Sequence, residues 1–161
     1  VIAAHAYAGP VQQAIHHFKF NGRADLAKRL GRDVAEAVKP LAPATGTLVV
    51  PVPLTAQRLV ERGYNQSALL AGSIARCLKL RHLPCALVRV HDAQHQVGAT
   101  RAERVEQVSG AFRVGSCRID QKNVILVDDV MTTGATANAC ASALTDAGAR
   151  VMAIATIARV L

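Results

Sequence analysis

A chain of 161 residues that is 51% apolar and 19% charged can bury one ordinary core but hardly two, which excludes global disorder and argues against a multidomain arrangement. Nineteen Lys and Arg against eleven Asp and Glu give a net charge of +8, favouring anionic partners, while an aromatic content of 3% disfavours a dedicated single-strand binder built on stacking rings. The longest apolar runs, Leu48 to Leu54 and Val151 to Ala158, fall far below the roughly 18 residues of a membrane span, and Val1 to Ala8 has no basic start leading into a long apolar core, so neither membrane insertion nor a secretory leader is expected.

Gly9-Pro10 opens a helix in which Val11, Ile15 and Phe18 recur at helical spacing until Asn21-Gly22. Leu26, Leu30, Val34 and Val38 continue at i, i+4 to Pro40, predicting a second helix with one apolar stripe. The period changes at Leu48-Val49-Val50-Pro51-Val52, a short Val-rich run expected of a strand buried on both faces. Another helix starts at about Asn65, a good N-cap, and runs through Leu70, Ile74 and Leu78. Ala86 to Val90 reads as a strand. From His91 to about Gly110 the sequence is polar, basic and aperiodic, and a mobile loop or hairpin arm is expected there, because loops beyond about 12 residues in compact domains tend to be functional or disordered. Ala111 to Val114 reads as a short strand and Val124 to Val127 as a buried one. Ala137, Cys140, Leu144 and Ala147 mark a helix closed by Gly148, and Val151 to Val160 is the last strand. The alternation predicts an α/β fold in one domain over residues 1–161, a doubly wound, mostly parallel sheet with flanking helices, including N-terminal helices within residues 1–40.

The segment VILVDDVMTTGATANACASAL, beginning at Val124, sets an apolar strand, two carboxylates, a small polar loop and a helix start in succession. In open parallel sheets ligands bind beyond the carboxyl ends of strands, which is where Asp128 to Thr136 fall. Thr132, Thr133 and Thr136 offer hydroxyls. Gly134 and Ala135 let the backbone approach closely, so that consecutive N–H groups can face one anion beside the helix N-terminus. Asp128 and Asp129 can accept from vicinal ribose hydroxyls, and a phosphate at one end with a diol at the other describes a ribose 5-phosphate. A Walker loop would need a lysine that this turn lacks, and a dinucleotide fingerprint would need three glycines. The plain alternative, a solvated strand end followed by a helix cap, accounts for the parts singly but not for their order.

Val124 to Thr136 resembles the thirteen-residue signature of the type I phosphoribosyltransferases. PVPLTAQRLVERGYNQS from Pro51, QVGATRAER from Gln96 and YAGPVQQAIHHFKFNGR from Tyr7 narrow the resemblance to the ComF family, including its GntX-type members. The resemblance implies a type I phosphoribosyltransferase-like fold binding 5-phosphoribosyl 1-diphosphate, or a nucleotide, with Mg²⁺ carried by the substrate diphosphate and no metal ligand from the protein. It also implies a cytoplasmic, homodimeric protein linked to DNA uptake in natural competence, whose partners include DNA or DNA-uptake proteins. The family's usual N-terminal cysteine-rich zinc module has no counterpart in these residues. A first residue other than Met reads as a fragment or trimmed chain.

In the implied scheme Asp128 and Asp129 hold the ribose hydroxyls and Thr132, Thr133, Gly134, Ala135 and Thr136 the 5-phosphate. Pro53 lies in the loop Val52 to Thr55 that would receive the diphosphate, with the guanidiniums of Arg58 and Arg62 close behind. Arg101 and Arg104, with Gln96 and Gly98, match a loop that closes over substrate, and Arg104 joins the two acids as a candidate catalytic group. Each has a plainer reading: Arg58 and Arg62 as an exposed basic stretch before a helix, Arg101 and Arg104 as a charged arm used for dimer contacts. Lys19, Asn21 and Arg23 are candidates for an acceptor hood or a polyanion contact, with surface solvation an equal reading. His16-His17 and the His91/His95 pair lack a third ligand at suitable spacing for zinc. Cys77, Cys85, Cys117 and Cys140 contain no Cys-x-x-Cys pair and are expected to be buried free thiols. No general base can be named from the sequence.

Overall fold

The computed structural model describes residues 1–90 and 110–160. Strand β1 (Ile2–Ala6) leads into helices α1 (Gly9–Phe20) and α2 (Leu26–Val38), then β2 (Leu48–Pro51), the short helix α3 (Ala56–Arg62), helix α4 (Gln66–Leu78) and β3 (Arg81–His82). After β4 (Leu87–Arg89) and β5 (Phe112–Val114) come β6 (Asn123–Val127), β7 (Val130–Met131), helix α5 (Ala135–Asp146) and β8 (Arg150–Arg159). The main sheet runs β1-β8-β6-β2-β3, with β7 beside the second half of β8, and every pairing in it is parallel.

Side chains alternate across a strand, so a parallel sheet buried on both faces needs apolar residues at consecutive positions. Val49, Ile125, Val127 and Ile157 face one core, closed by Ile15 and Phe18 of α1, Leu30, Val34 and Val38 of α2, and Leu70 and Ile74 of α4. Val50, Val124 and Leu126 face the other, closed by Cys140 and Leu144 of α5 and by Phe112 and Ile119. Each of the fully buried aliphatic side chains contributes about 1.5–3 kcal/mol by leaving water. Helices α2 and α4 approach closely because Gly31 has no side chain: a Cβ there would stand 2.5 Å from Ser73 Cβ. That approach seats the first turn of α4, which carries part of the site described below.

The expected helices and buried strands form as read, including the Asn65 N-cap, whose side chain accepts from the Ala68 amide. The sheet is mostly parallel, as expected, and the described strands depart from that pairing at one place. Ala86–Val90 and Ala111–Val114 do contain strands, but β4 and β5 pair antiparallel with each other, Leu87 opposite Val114 and Arg89 opposite Phe112, apart from the main sheet. The arm expected over 91–110 lies outside the described residues except for Gly110. Four elements gave no readable signal: β1 is built largely of alanine, β3 and β7 have two residues each, and α3 buries no side chain. Among the described residues no helix is long and apolar enough to cross a membrane.

Candidate functional site

Asp128 and Asp129 occupy the gap between β6 and β7. The backbone keeps its hold on β8 across that gap, since the Asp128 amide donates to the Ala155 carbonyl at 3.0 Å and the Ile157 amide to the Asp129 carbonyl at 3.0 Å. Asp129 is 7% exposed and fully engaged: Lys19 Nζ lies 2.9 Å from its Oδ1, Gln66 Nε2 donates to its Oδ2 at 2.9 Å, and the Val130 amide donates to Oδ1 at 2.6 Å. Asp128 is partly buried and accepts from the Asp129 amide at 2.9 Å and from Ser67 Oγ at 3.3 Å. Desolvation, reinforced by the charge of Asp129, pushes Asp128 up to about 7, against the opposing pull of the Asp129 amide, Lys19 and Ser67.

The threonine turn follows directly. Gly134 adopts φ +79°, a left-handed conformation that an L side chain rarely takes, and a Cβ there would meet Met131 Sδ at 3.2 Å. It is the N-cap of α5, and the Ala135 amide, beside the Thr133 hydroxyl at 3.4 Å, begins that helix. Asp128 and the run from Val130 to Ala137 enclose a pocket of about 70 Å³, into which the turn and the helix N-terminus open.

A larger cleft of about 140 Å³ adjoins it and shares Asp128 and Thr136 as lining. Pro53 and Thr55 line this cleft from the loop after β2, and Thr55 Oγ1 accepts from the Arg58 amide at 3.1 Å, which starts α3 and brings Arg58 and Arg62 to the rim. All described peptide bonds are trans, those before Pro51 and Pro53 included. Lys19 and Arg89 complete the cationic lining. Arg62 also stacks on Phe20, its guanidinium carbon 4.9 Å from the ring centroid. The Tyr64 hydroxyl donates to the Phe18 carbonyl, which ties α1, and with it Lys19, to the segment before α4.

The structure therefore brings Asp128, Asp129, Thr132, Thr133, Gly134, Ala135 and Thr136 together with Pro53, Arg58 and Arg62 in two adjoining spaces. Arg101 and Arg104 lie outside the described residues, as do His91 and His95. Sequence reasoning missed Gln66, Ser67 and Arg89 as site residues and left Lys19 open; a polar Gln-Ser pair opening a mostly apolar helix was the available signal for two of them. The expectation for the cysteines is corrected in part. All four are free, but Cys77 and Cys85 are exposed and only Cys140 is fully buried, where burial and nearby Asp128 hold its thiol far above the usual range. Among the described residues no three His, Cys, Asp or Glu side chains converge on a common point.

Residues 65–161 match the phosphoribosyl transferase domain family, and the fold is that of the type I phosphoribosyltransferases. Over 84% of this chain it is similar to a glutamine phosphoribosylpyrophosphate amidotransferase from B. subtilis, with a TM-score of 0.55 and 18% identity, covering 29% of that chain. Among curated proteins it is 31% identical over 159 residues to the DNA utilization protein YhgH of Escherichia coli, covering 96% of this chain and 70% of the relative. It is 34% identical over 145 residues to competence protein F of Haemophilus influenzae, covering 86% of this chain and 62% of that one. The chain belongs to the ComF family of phosphoribosyltransferase-type proteins.

Proposed function

We propose that the two adjoining spaces bind 5-phosphoribosyl 1-diphosphate and that the protein transfers its phosphoribosyl group to a nitrogen acceptor. The observation that carries this reading is the shared wall: Asp128 and Thr136 border both the phosphate-sized pocket and the larger cationic cleft. A ribose over the acid pair would direct its 5-phosphate to the threonine turn and its 1-diphosphate toward Arg58, Arg62 and Arg89. Mg²⁺ keeps several waters and is commonly bound through substrate phosphates, so an ion would arrive on the donor's diphosphate, with the acid pair left to the ribose hydroxyls. When bound, such an ion supplies positive charge at the departing diphosphate.

The protein's own contribution is position and electrostatics. The carboxylates hold the ribose hydroxyls, the turn holds the 5-phosphate, and the guanidiniums stabilise charge that develops on the leaving group. Arg101 and Arg104 would add positive charge from the arm.

A second reading takes the same pocket as a sensor of the donor or of a nucleotide in a DNA-uptake role, with the basic surface contacting DNA or partner proteins. The net charge of +8 and the DNA utilization and competence names of the relatives support it. Calorimetry with 5-phosphoribosyl 1-diphosphate and Mg²⁺, followed by a screen for diphosphate release across bases and amines, separates the two. Turnover supports the transferase and tight binding without turnover the sensor; no donor binding refutes the transferase and the donor sensor, and the same titration with nucleotides then decides the nucleotide sensor.

A further inference from the structure

Three consecutive side chains at the start of α4 each reach a different part of the cleft. Asn65 Oδ1 caps the helix by accepting from the Ala68 amide at 3.3 Å, while Nδ2 donates to the Val52 carbonyl at 3.1 Å, where the loop after β2 begins. Gln66 donates to Asp129 at 2.9 Å and Ser67 to Asp128 at 3.3 Å. Gln66 is 1% exposed, and its Oε1 is buried without a hydrogen-bond partner among the described residues. An unsatisfied buried amide oxygen destabilises the fold, because it gives up water without gaining a partner. Turning the amide over would aim that oxygen at a carboxylate, so Asp129 dictates the orientation and the helix bears the orphan. The fold alone does not require this, because Leu70, Ala71 and Ile74 already seal α4 against the sheet.

We propose that Asn65, Gln66 and Ser67 are positioning residues, a brace that holds both carboxylates and the start of the β2–α3 loop in the arrangement needed to grip the two ends of one phosphoribosyl donor. The inference rests on the donor reading above and extends it to residues outside the signature segment. Ser67 tunes Asp128 against a fixed surrounding of Asp129 beside it in the gap between β6 and β7, Lys19 from α1, Arg58 and Arg62 from α3, Arg89 from β4 and Cys140 from α5.

Substitutions at the three positions separate the brace from ordinary packing. Gln66→Met keeps the volume and removes both the orphaned oxygen and the amide donor to Asp129, two changes that offset in stability, so the melting temperature stays close to that of the wild type while affinity for 5-phosphoribosyl 1-diphosphate with Mg²⁺ falls about tenfold. Ser67→Ala moves the midpoint of the Asp128 carboxyl titration, followed by carbon NMR in the ligand-free protein, upward by about half a pH unit, and Ser67→Thr restores it. Asn65→Ser keeps a capping oxygen but is too short to reach Val52, and weakens binding of inorganic diphosphate about threefold. Unchanged donor affinity in Gln66→Met, or an affinity loss matched by a fall in melting temperature, overturns the brace. A midpoint unmoved in Ser67→Ala does so as well. A wild-type protein that binds no donor refutes the donor reading instead, and the ligand-free titration then decides the brace alone.

Discussion

Titrating ribose 5-phosphate into the protein at several pH values, without Mg²⁺, tests the acid pair directly. Ribose hydroxyls donate hydrogen bonds, so they are best received by an ionised Asp128. In the ligand-free protein desolvation and the charge of Asp129 push its ionisation up to about 7. About one-tenth of the molecules then carry an ionised Asp128 at about pH 6, and about nine-tenths at about pH 8. If binding requires the ionised form, affinity rises with pH by about tenfold across that interval, or about 1.4 kcal/mol, and binding at the acid end releases close to one proton. The second ionisation of the phosphate, near pH 6, adds a slope of its own. Asp128→Asn retains the phosphate contribution and loses the other, so the difference between the two proteins isolates the carboxyl. Calorimetry in buffers of different ionisation enthalpy counts the protons. An affinity slope that is the same in wild type and Asp128→Asn would show that Asp128 does not receive the sugar.

The same group shapes stability without ligand. Its folded-state pKa lies above the unfolded value of 3.8, so its contribution is fully present below the unfolded value and is lost as pH rises through about 7. Asp128→Asn should therefore raise the melting temperature at pH 8 more than at pH 5, and an equal rise at both would contradict the assignment. Gly31→Ala should destabilise the fold by about 1–2 kcal/mol in urea unfolding, because overpacking against Ser73 outweighs a helix-propensity gain of about 1 kcal/mol, and Ser73→Gly in the same chain should recover most of the loss. Gly134→Val, which forces a β-branched residue to φ +79° against Met131, should abolish ribose 5-phosphate binding at a stability cost of about 1–3 kcal/mol, measured by calorimetry and melting. Arg62→Ala should weaken inorganic diphosphate several-fold, a change of about 1 kcal/mol, and leave ribose 5-phosphate within about twofold.

The signature segment was legible because strand, acids, turn and helix start are contiguous, and contiguity is what a sequence displays. Pro53, Arg58 and Arg62 became visible through family resemblance, and the structure supplies the local cause, a Thr55 cap that begins α3. Gln66 and Ser67 stayed hidden because their partners lie 63 and 61 residues away, a separation that no periodicity encodes. Lys19 could be placed just after the first helix, whose last turn in fact carries it, but not opposite Asp129, 110 positions distant. The pairing of β4 with β5 was not legible for a related reason. Short apolar strands look alike whether they enter a parallel sheet or fold back on each other, and Arg89 reaches the cleft only because they fold back.

The two acids are not carried on a detachable loop. Amides and carbonyls on either side of the gap remain laced to β8, through Asp128 to Ala155, Asp129 to Ile157 and Met131 to Val160. Fraying of this corner would mean tearing a central seam of the molecule, so the amides of Asp128 and Ile157 should exchange with solvent only when the whole chain unfolds. A ligand gripped there would then stiffen the entire protein, and its affinity could be read from the melting temperature of the whole fold.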